Sequence, residues 1–406
     1  MVDDMLYSIY QRFLLFFFEN FSAVELILYC SSSFAQAEAG EKAICICNHQ
    51  SSFDWAVFDM LAIRQNRLGS LRYVLKDSLQ YLPLYGWYFF AHGGVYVRRG
   101  SAFKQARAIR QLQYLRSLDQ TTSLVLFPEG TRFHPSKTRD IAKSRQLAIE
   151  AGVTPPEKTL LPRFRGMHLT VDTLGDTFDA VYDVTIVYER AGQQGEQALL
   201  APGLYDVLCG PAYYKVHAHV DRIPMSVVPR EEQSLQRWLY DRFSIKDRAF
   251  RNFLTDGRPF AEEPIACKRV SFADTLPSAL LLSAATIALL CTAKGRRLFV
   301  RVWALGSLAC LVSSRARFPK TEESPSSATL LHSSSLYAQL PRLHPFMEET
   351  KLFYTAVAAA VVCTLLLALM ICLCCRRFRR GHSYEPAVAQ LVTNPNSGRP
   401  AKEFYV

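Results

Sequence analysis

The stretch Ala43-Ile44-Cys45-Ile46-Cys47-Asn48-His49-Gln50-Ser51-Ser52-Phe53-Asp54 decides how the fold is read. Its first five residues are apolar without a break, which marks a buried strand, and the polar run behind them carries serines of the kind that start helices. His49 and Asp54 are separated by four residues. On one continuous helix, five steps of about 100° would leave them about 140° apart, on different faces. The spacing therefore predicts His49 in the loop leaving the strand, Ser51 or Ser52 as helix N-cap, and Asp54 in the first turn, from which its carboxylate reaches back to the imidazole. A carboxylate on one ring nitrogen fixes the tautomer and makes the other nitrogen a better proton acceptor, as general base catalysis on an alcohol requires. Taken alone, the pair also fits a solvated loop histidine beside a capping aspartate.

Outward from this unit, short β-branched runs (Leu124 to Phe127, Val181 to Tyr188, Val216 to Val220) alternate with helical stretches as far as about Phe260, so residues 41–260 read as one α/β domain. In Ser101 to Leu118 the apolar residues Phe103, Ala106, Ile109, Leu112 and Leu115 recur every three positions with the basic residues off that stripe, and Ser101 is the expected N-cap. The run Leu124-Val125-Leu126-Phe127-Pro128-Glu129-Gly130-Thr131-Arg132 is a buried strand that opens into a turn. Strand ends are where α/β sites collect ligand-binding groups. Arg132 offers a planar fork for a phosphate, Gly130 lets backbone N–H groups approach an anion, and Glu129 is expected to hold Arg132 or a substrate hydroxyl. Gly93-Gly94-Val95-Tyr96-Val97-Arg98-Arg99 is again strand-like and again ends in arginine.

The chain has 406 residues, 50% hydrophobic, which excludes disorder and repeat architectures, and its 26 Phe and 19 Tyr lean toward contact with lipid. Residues 1–40 are very apolar but interrupted by Arg12, Glu19 and Glu25, so short membrane-associated helices are expected there instead of a span. Leu276 to Ala293 is 18 residues without a charge and Leu352 to Cys375 is 24, each long enough to cross a bilayer. The organisation expected is a membrane hairpin, or a span plus an interfacial helix, over 276–312, a Ser/Pro-rich linker over 313–351, a transmembrane helix over 352–375 and a basic, then flexible, tail over 376–406. Arg376, Arg377, Arg379 and Arg380 favour a cytosolic C-terminus. Eleven cysteines, many in apolar segments, argue against a disulfide framework, and Cys45 and Cys47 read as reduced core residues. The net charge of +11 admits nucleic acid, but no RNA motif or zinc-finger spacing accompanies it, and anionic lipid is the better partner. His217 and His219 alternate along a strand without further ligand spacing, so structural or surface roles are expected, and for His92 and His134, which lie near the motifs, chance proximity is as good an account as a role.

The ordered set of H-x4-D, then Gly93, Tyr96, Val97 and Arg99, then Phe127 to Arg132, then the Leu161-Pro162 step resembles the four blocks of the glycerolipid acyltransferase superfamily. The runs Phe16 to Asn20, Leu61 to Asn66, Tyr73 to Lys76 and Leu82 to Gly86, with Tyr182 to Thr185 and Thr275 to Ser278, are more closely similar to the epsilon-type lysophosphatidic acid acyltransferases. The resemblance covers roughly three quarters of the chain and departs from the group in two places. The hydrophobic segment usually found upstream of the counterpart of Met5 is missing, which implies N-terminal truncation or a different anchorage, and 313–406 has no counterpart.

The resemblance implies an α/β fold, a mixed sheet flanked by helices, with N-terminal membrane-associated helices and C-terminal transmembrane helices. It further implies acyl transfer from acyl-CoA to the sn-2 hydroxyl of lysophosphatidic acid, with His49 as base and Asp54 orienting it. The acceptor phosphate would be held by Arg99 and Arg132 with Glu129, Gly130 and Thr131, and by Lys76 more weakly, while Gly93, Tyr96 and Pro162 would shape the acyl or glycerol pocket. No metal and no cofactor beyond the co-substrate acyl-CoA is implied. Lysophosphatidic acid and membrane lipids are the expected partners, nucleic acid is not, and the endoplasmic reticulum, or alternatively a mitochondrial membrane, is the expected location. Two other readings are an acyltransferase for another acceptor, such as lysocardiolipin, and a non-catalytic lipid-binding scaffold.

Overall fold

The computed structural model describes residues 2–301 apart from 23, 31–39, 82–84, 98–104, 211 and 266. Among them, seven strands form one sheet: β1 (Val24–Cys30), β2 (Ala43–Cys47), β3 (Leu71–Lys76), β4 (Val95–Val97), β5 (Ser123–Leu126), β6 (Ala180–Arg190) and β7 (Tyr214–Pro224). Their order is β1-β7-β6-β2-β5-β3-β4, and every pairing is parallel except β6 with β7. The sheet is thus mixed, and β2 lies near its middle, covered on both faces, which is why that strand is an unbroken apolar run.

Alternation along the strands separates two cores. Cys45, Cys47, Val125, Tyr182 and Val184 face α1 (Val2–Leu15) and α2 (Asp54–Arg64). Ile44, Ile46, Leu124 and Leu126 point the other way. They pack with α4 (Gln105–Arg116), α6 (Phe164–Leu174) and α8 (Glu232–Asp256). Of the shorter helices, α3 (Tyr85–Ala91) lies in the crossover from β3 to β4, α7 (Leu204–Cys209) lies in the connection between the antiparallel β6 and β7, and α5 (Thr138–Glu150) follows β5. Ser101 lies outside the described residues, and α4 is seen from Gln105 onward. Cys45 and Cys47 are buried free thiols, as the composition implied.

Among the described residues of the N-terminal segment, the expected helices give way to a strand. Helix α1 continues into a π-helical turn (Phe16–Phe21), and Val24–Cys30 is an edge strand lying parallel to β7. Tyr7, Phe13, Leu15, Phe17 and Phe18 are buried in the domain core. The charges that interrupt the run have internal partners: Glu19 pairs with Arg64, Glu25 accepts from Tyr213 Oη at 2.6 Å, and Arg12 Nη1 donates to the Asp274 carbonyl at 3.0 Å. At the start of α1, Asp4 pairs with the buried Arg72 at 2.7 Å, and Asp3 takes a 2.8 Å bond from His92 Nδ1. Arg72 donates to the other His92 nitrogen at 2.7 Å. Burial and this guanidinium lower the His92 pKa to about 4, so the ring is neutral and part of the clasp.

Helix α9 (Phe272–Cys291) starts at the Ser271 N-cap and packs on α1. Its beginning is tied to the π turn, where Thr275 Oγ1 donates to Asn20 Oδ1 at 2.8 Å and Val270 N to Glu19 at 2.9 Å. With mean hydropathy 1.6 and 22% of its apolar window buried, α9 is the one helix among the described residues long and apolar enough to cross a membrane, by length and composition only. The expected span at 352–375, the linker at 313–351 and the tail at 376–406 lie outside the described residues, as does 302–312.

Candidate active site

Because β2, β3, β4, β5 and β6 all run parallel, their C-terminal ends share one edge of the sheet, and the motif loops leave from that edge. Asn48, the first residue beyond β2, continues the strand pairing with its side chain: Nδ2 donates to the Ile186 carbonyl at 2.8 Å and Oδ1 accepts from Ile186 N at 2.9 Å. The next residue, His49, thereby leaves the sheet in a fixed direction.

His49 Nδ1 lies 2.7 Å from Asp54 Oδ2. The same oxygen accepts from Gln50 N at 2.8 Å and Ser51 N at 3.0 Å, while Oδ1 accepts from Tyr188 Oη at 2.7 Å. Asp54 is 1% exposed, and its carboxylate takes four donors, so its orientation is over-determined. The helix begins at Asp54 with Phe53 in the cap position and no side-chain cap. Neither serine caps it as expected: Ser51 Oγ accepts from Phe53 N at 2.8 Å and Ser52 Oγ from Leu204 N at 3.2 Å, which fold the loop itself. The imidazole is 20% exposed and lies 4.5 Å from the Phe127 ring, centroid to centroid. Its Nε2 has no hydrogen bond among the described residues. One ring nitrogen is committed to a carboxylate and the other is open to a substrate proton.

Glu129 does not hold Arg132. Its carboxylate is 2% exposed, and its two oxygens accept from His49 N at 2.7 Å and Leu160 N at 2.9 Å. The expectation failed because a carboxylate at a tight turn projects inward, where backbone N–H groups left over by two loops need an acceptor. Burial pushes the Glu129 pKa up to about 8 against the lowering effect of the two amide bonds. Gly130 has φ +71, a left-handed conformation that glycine adopts freely. Thr131 is half-buried, and Lys137 Nζ approaches its Oγ1 at 3.5 Å and donates to the Arg132 carbonyl at 2.9 Å. Arg132 is exposed, and among the described residues its guanidinium has no partner. Lys76 is exposed at the end of β3, on the same sheet edge, and Arg99 lies outside the described residues.

Gly93 and Tyr96, expected at the acyl or glycerol pocket, are buried in packing contacts. Gly93 has φ +89, and a Cβ there would meet Leu115 at 2.8 Å and Arg72 Nε at 3.2 Å. Tyr96 Oη donates to the Gly86 carbonyl at 2.8 Å, and its N–H donates to Gln111 Oε1 at 3.0 Å. Pro162 is buried in a segment bound to the third block, with Leu160 N on Glu129 and Arg163 N donating to the Pro128 carbonyl at 2.8 Å. From α8, Asp247 Oδ1 gathers the backbone N–H groups of Glu157, Lys158 and Thr159 at 3.0, 2.7 and 3.1 Å, fixing the approach to that segment. His217 is held between Tyr29 Oη at 3.1 Å and Glu189 at 2.9 Å, a structural role.

Asn48, Tyr188, Asp247 and Arg163 had no signal in the sequence, since each acts through a partner remote in the chain. A small hollow of about 50 Å³ lies between α2 and the sheet, lined by Cys45, Phe58, Leu61, Ala62, Tyr182 and Val184 and by the polar Gln65, Arg67, Ser70 and Ser123. Phe58 meets Phe127 edge-on at 6.1 Å, but Gln65, Ser70, Leu71 and Ser123 place the hollow toward the starts of β3 and β5, away from His49.

Residues 31–162 match the family described as Acyltransferase, and residues 206–280 match the one described as Acyltransferase C-terminus. The chain is 39% identical over 315 residues to 1-acyl-sn-glycerol-3-phosphate acyltransferase epsilon of Mus musculus, covering 76% of this chain and 85% of that protein. It is 31% identical to the probable 1-acyl-sn-glycerol-3-phosphate acyltransferase 5 of Arabidopsis thaliana, over 60% of each chain. With lysocardiolipin acyltransferase 1 of Danio rerio it shares 32% identity over 53% of each. Matched over its sheet, its motif loops and the helices behind them, the chain belongs to the acyltransferase family that includes the 1-acyl-sn-glycerol-3-phosphate acyltransferases.

Proposed function

We propose that this acyltransferase moves an acyl group from acyl-CoA to the sn-2 hydroxyl of lysophosphatidic acid, giving phosphatidic acid. The observation that carries the reading is the His49 to Asp54 bond of 2.7 Å with Asp54 buried and fully engaged and Nε2 left open. Nε2 takes the hydroxyl proton as the oxygen attacks the thioester carbonyl. The C–O bond forms, the C–S bond breaks, and coenzyme A leaves as a thiolate that recovers the proton from the imidazolium. Asp54 stabilises the charged ring while it exists. Arg132, Lys76 and Arg99 supply the charge for the acceptor phosphate. The α9 helix and the apolar stretch at 352–375 anchor the protein in the endoplasmic reticulum membrane, with the catalytic face toward cytosolic acyl-CoA.

The test is incorporation of labelled acyl-CoA by membranes containing the protein, with a panel of lysophosphatidic acid, lysocardiolipin and glycerol 3-phosphate as acceptors. Lysophosphatidic acid should be the preferred acceptor, and His49→Ala should lose about 100- to 10,000-fold in rate. Preference for lysocardiolipin would move the acceptor assignment, and equal rates for wild type and His49→Ala would remove the mechanism.

A further inference from the structure

The turn Phe127 to His134 carries more positive charge than its motif accounts for. Arg132 is exposed there, Lys137 Nζ reaches back to the Arg132 carbonyl at 2.9 Å, and Arg163 arrives from the fourth block with its N–H on the Pro128 carbonyl at 2.8 Å. Arg163 does not point away from the turn. A Cβ placed on Gly130 would lie 3.4 Å from both Cδ and Nε of Arg163 and 3.6 Å from its Cζ, so the guanidinium stem crosses the α-carbon face of Gly130. Gly130 is required for its left-handed backbone, and Arg163 lies in van der Waals reach of its α-carbon.

Among the described residues, Arg132, Lys137 and Arg163 enter no ion pair. The one carboxylate inside the turn, Glu129, is spent on the amides of His49 and Leu160. Three cations held on one turn without a compensating acid repel one another, and an anionic ligand removes that repulsion. We infer that Arg163, with Lys137, completes around Arg132 a site for a phosphate group of a substrate, Arg163 closing over Gly130 to offer a second guanidinium fork. This inference rests on the proposed function, in which both substrates bear phosphate: the acceptor a monoester, and the acyl donor a pyrophosphate and a 3′-phosphate. A dianionic group between two guanidinium forks is held by charge-assisted bonds that an ammonium cannot reproduce.

The experiment measures KM for each substrate at saturation of the other, for wild type, Arg163→Lys, Arg163→Ala and Lys137→Ala. KM for one phosphate-bearing substrate should rise about tenfold or more in Arg163→Ala, less in Arg163→Lys, with kcat nearly unchanged. Acyl-dephospho-CoA separates the two sources. If the site takes the donor's 3′-phosphate, wild type and Arg163→Ala converge with this donor; a persisting difference in the donor's KM assigns the site to the pyrophosphate, and one in the acceptor's KM to the acceptor phosphate. Both KM values within about twofold of wild type, or a loss confined to kcat, would overturn the inference. Thermal stabilisation by free coenzyme A and by lysophosphatidic acid reads binding without turnover. A wild type that is stabilised more than Arg163→Ala yet transfers no acyl group would reject the proposed function and keep the site, whereas equal stabilisation of wild type and Arg163→Ala by each ligand would reject the site.

Discussion

The carboxylate of Glu129 accepts the backbone N–H of His49 at 2.7 Å, across 80 residues of chain. The third motif block is thus a clamp on the first, and through its second oxygen on Leu160 it also holds the fourth. Burial puts the Glu129 pKa at about 8, above the ordinary 4.5. Between those values the unfolded chain gives up a proton that the folded chain keeps, so this group lowers stability as pH rises from about 4.5 to about 8. Comparing thermal midpoints of wild type and Glu129→Gln across that range should show wild type losing ground steadily toward the alkaline end. A constant offset between the two proteins would mean that Glu129 is ionised throughout.

Tyr188 holds the other oxygen of Asp54 from the end of β6. Tyr188→Phe removes one donor of four and leaves the packing in place, so activity should fall several-fold while expression and melting change little. Asp54→Asn, which removes the charge itself, should cost far more. Equal effects of the two substitutions in the acyl-incorporation assay would contradict the ranking.

Asp247 acts at a greater remove. Its three backbone bonds fix residues 157–159, and Leu160 of the same segment meets Glu129. Asp247→Ala leaves three N–H groups without their acceptor, of which the buried Thr159 N–H costs about 1–3 kcal/mol if not re-satisfied by water. Both melting temperature and acyl transfer should drop, and Asp247→Asn should recover part of each. A variant with wild-type activity would show that the segment holds its place without α8.

What could be read from the sequence was what neighbours decide. The apolar run Ala43 to Cys47 had to be a covered strand, and the reach of Asp54 back to His49 follows from five residues of spacing. The role of Glu129 was not legible, since Arg132 is three residues away in the chain while the true partners are backbone groups that leave no mark in a sequence. Val24–Cys30 was read as helix because a short apolar run has no decisive period, and the strand that selects its conformation is β7. The partners of Tyr188 and Asp247 were hidden for the same reason of distance.

The parallel pairing of β1 with β7 also orders events during synthesis. Val24 finds its register opposite Tyr214, about 190 residues later, so the ribosome releases the apolar N-terminal segment well before its place in the sheet exists. At about 5–20 residues per second that interval is about 10–40 s. Phe18 meets Phe53 and Trp55 early in that interval, whereas Phe16 waits for Phe272, so part of this aromatic cluster stays uncovered until translation has passed the strand that closes the sheet.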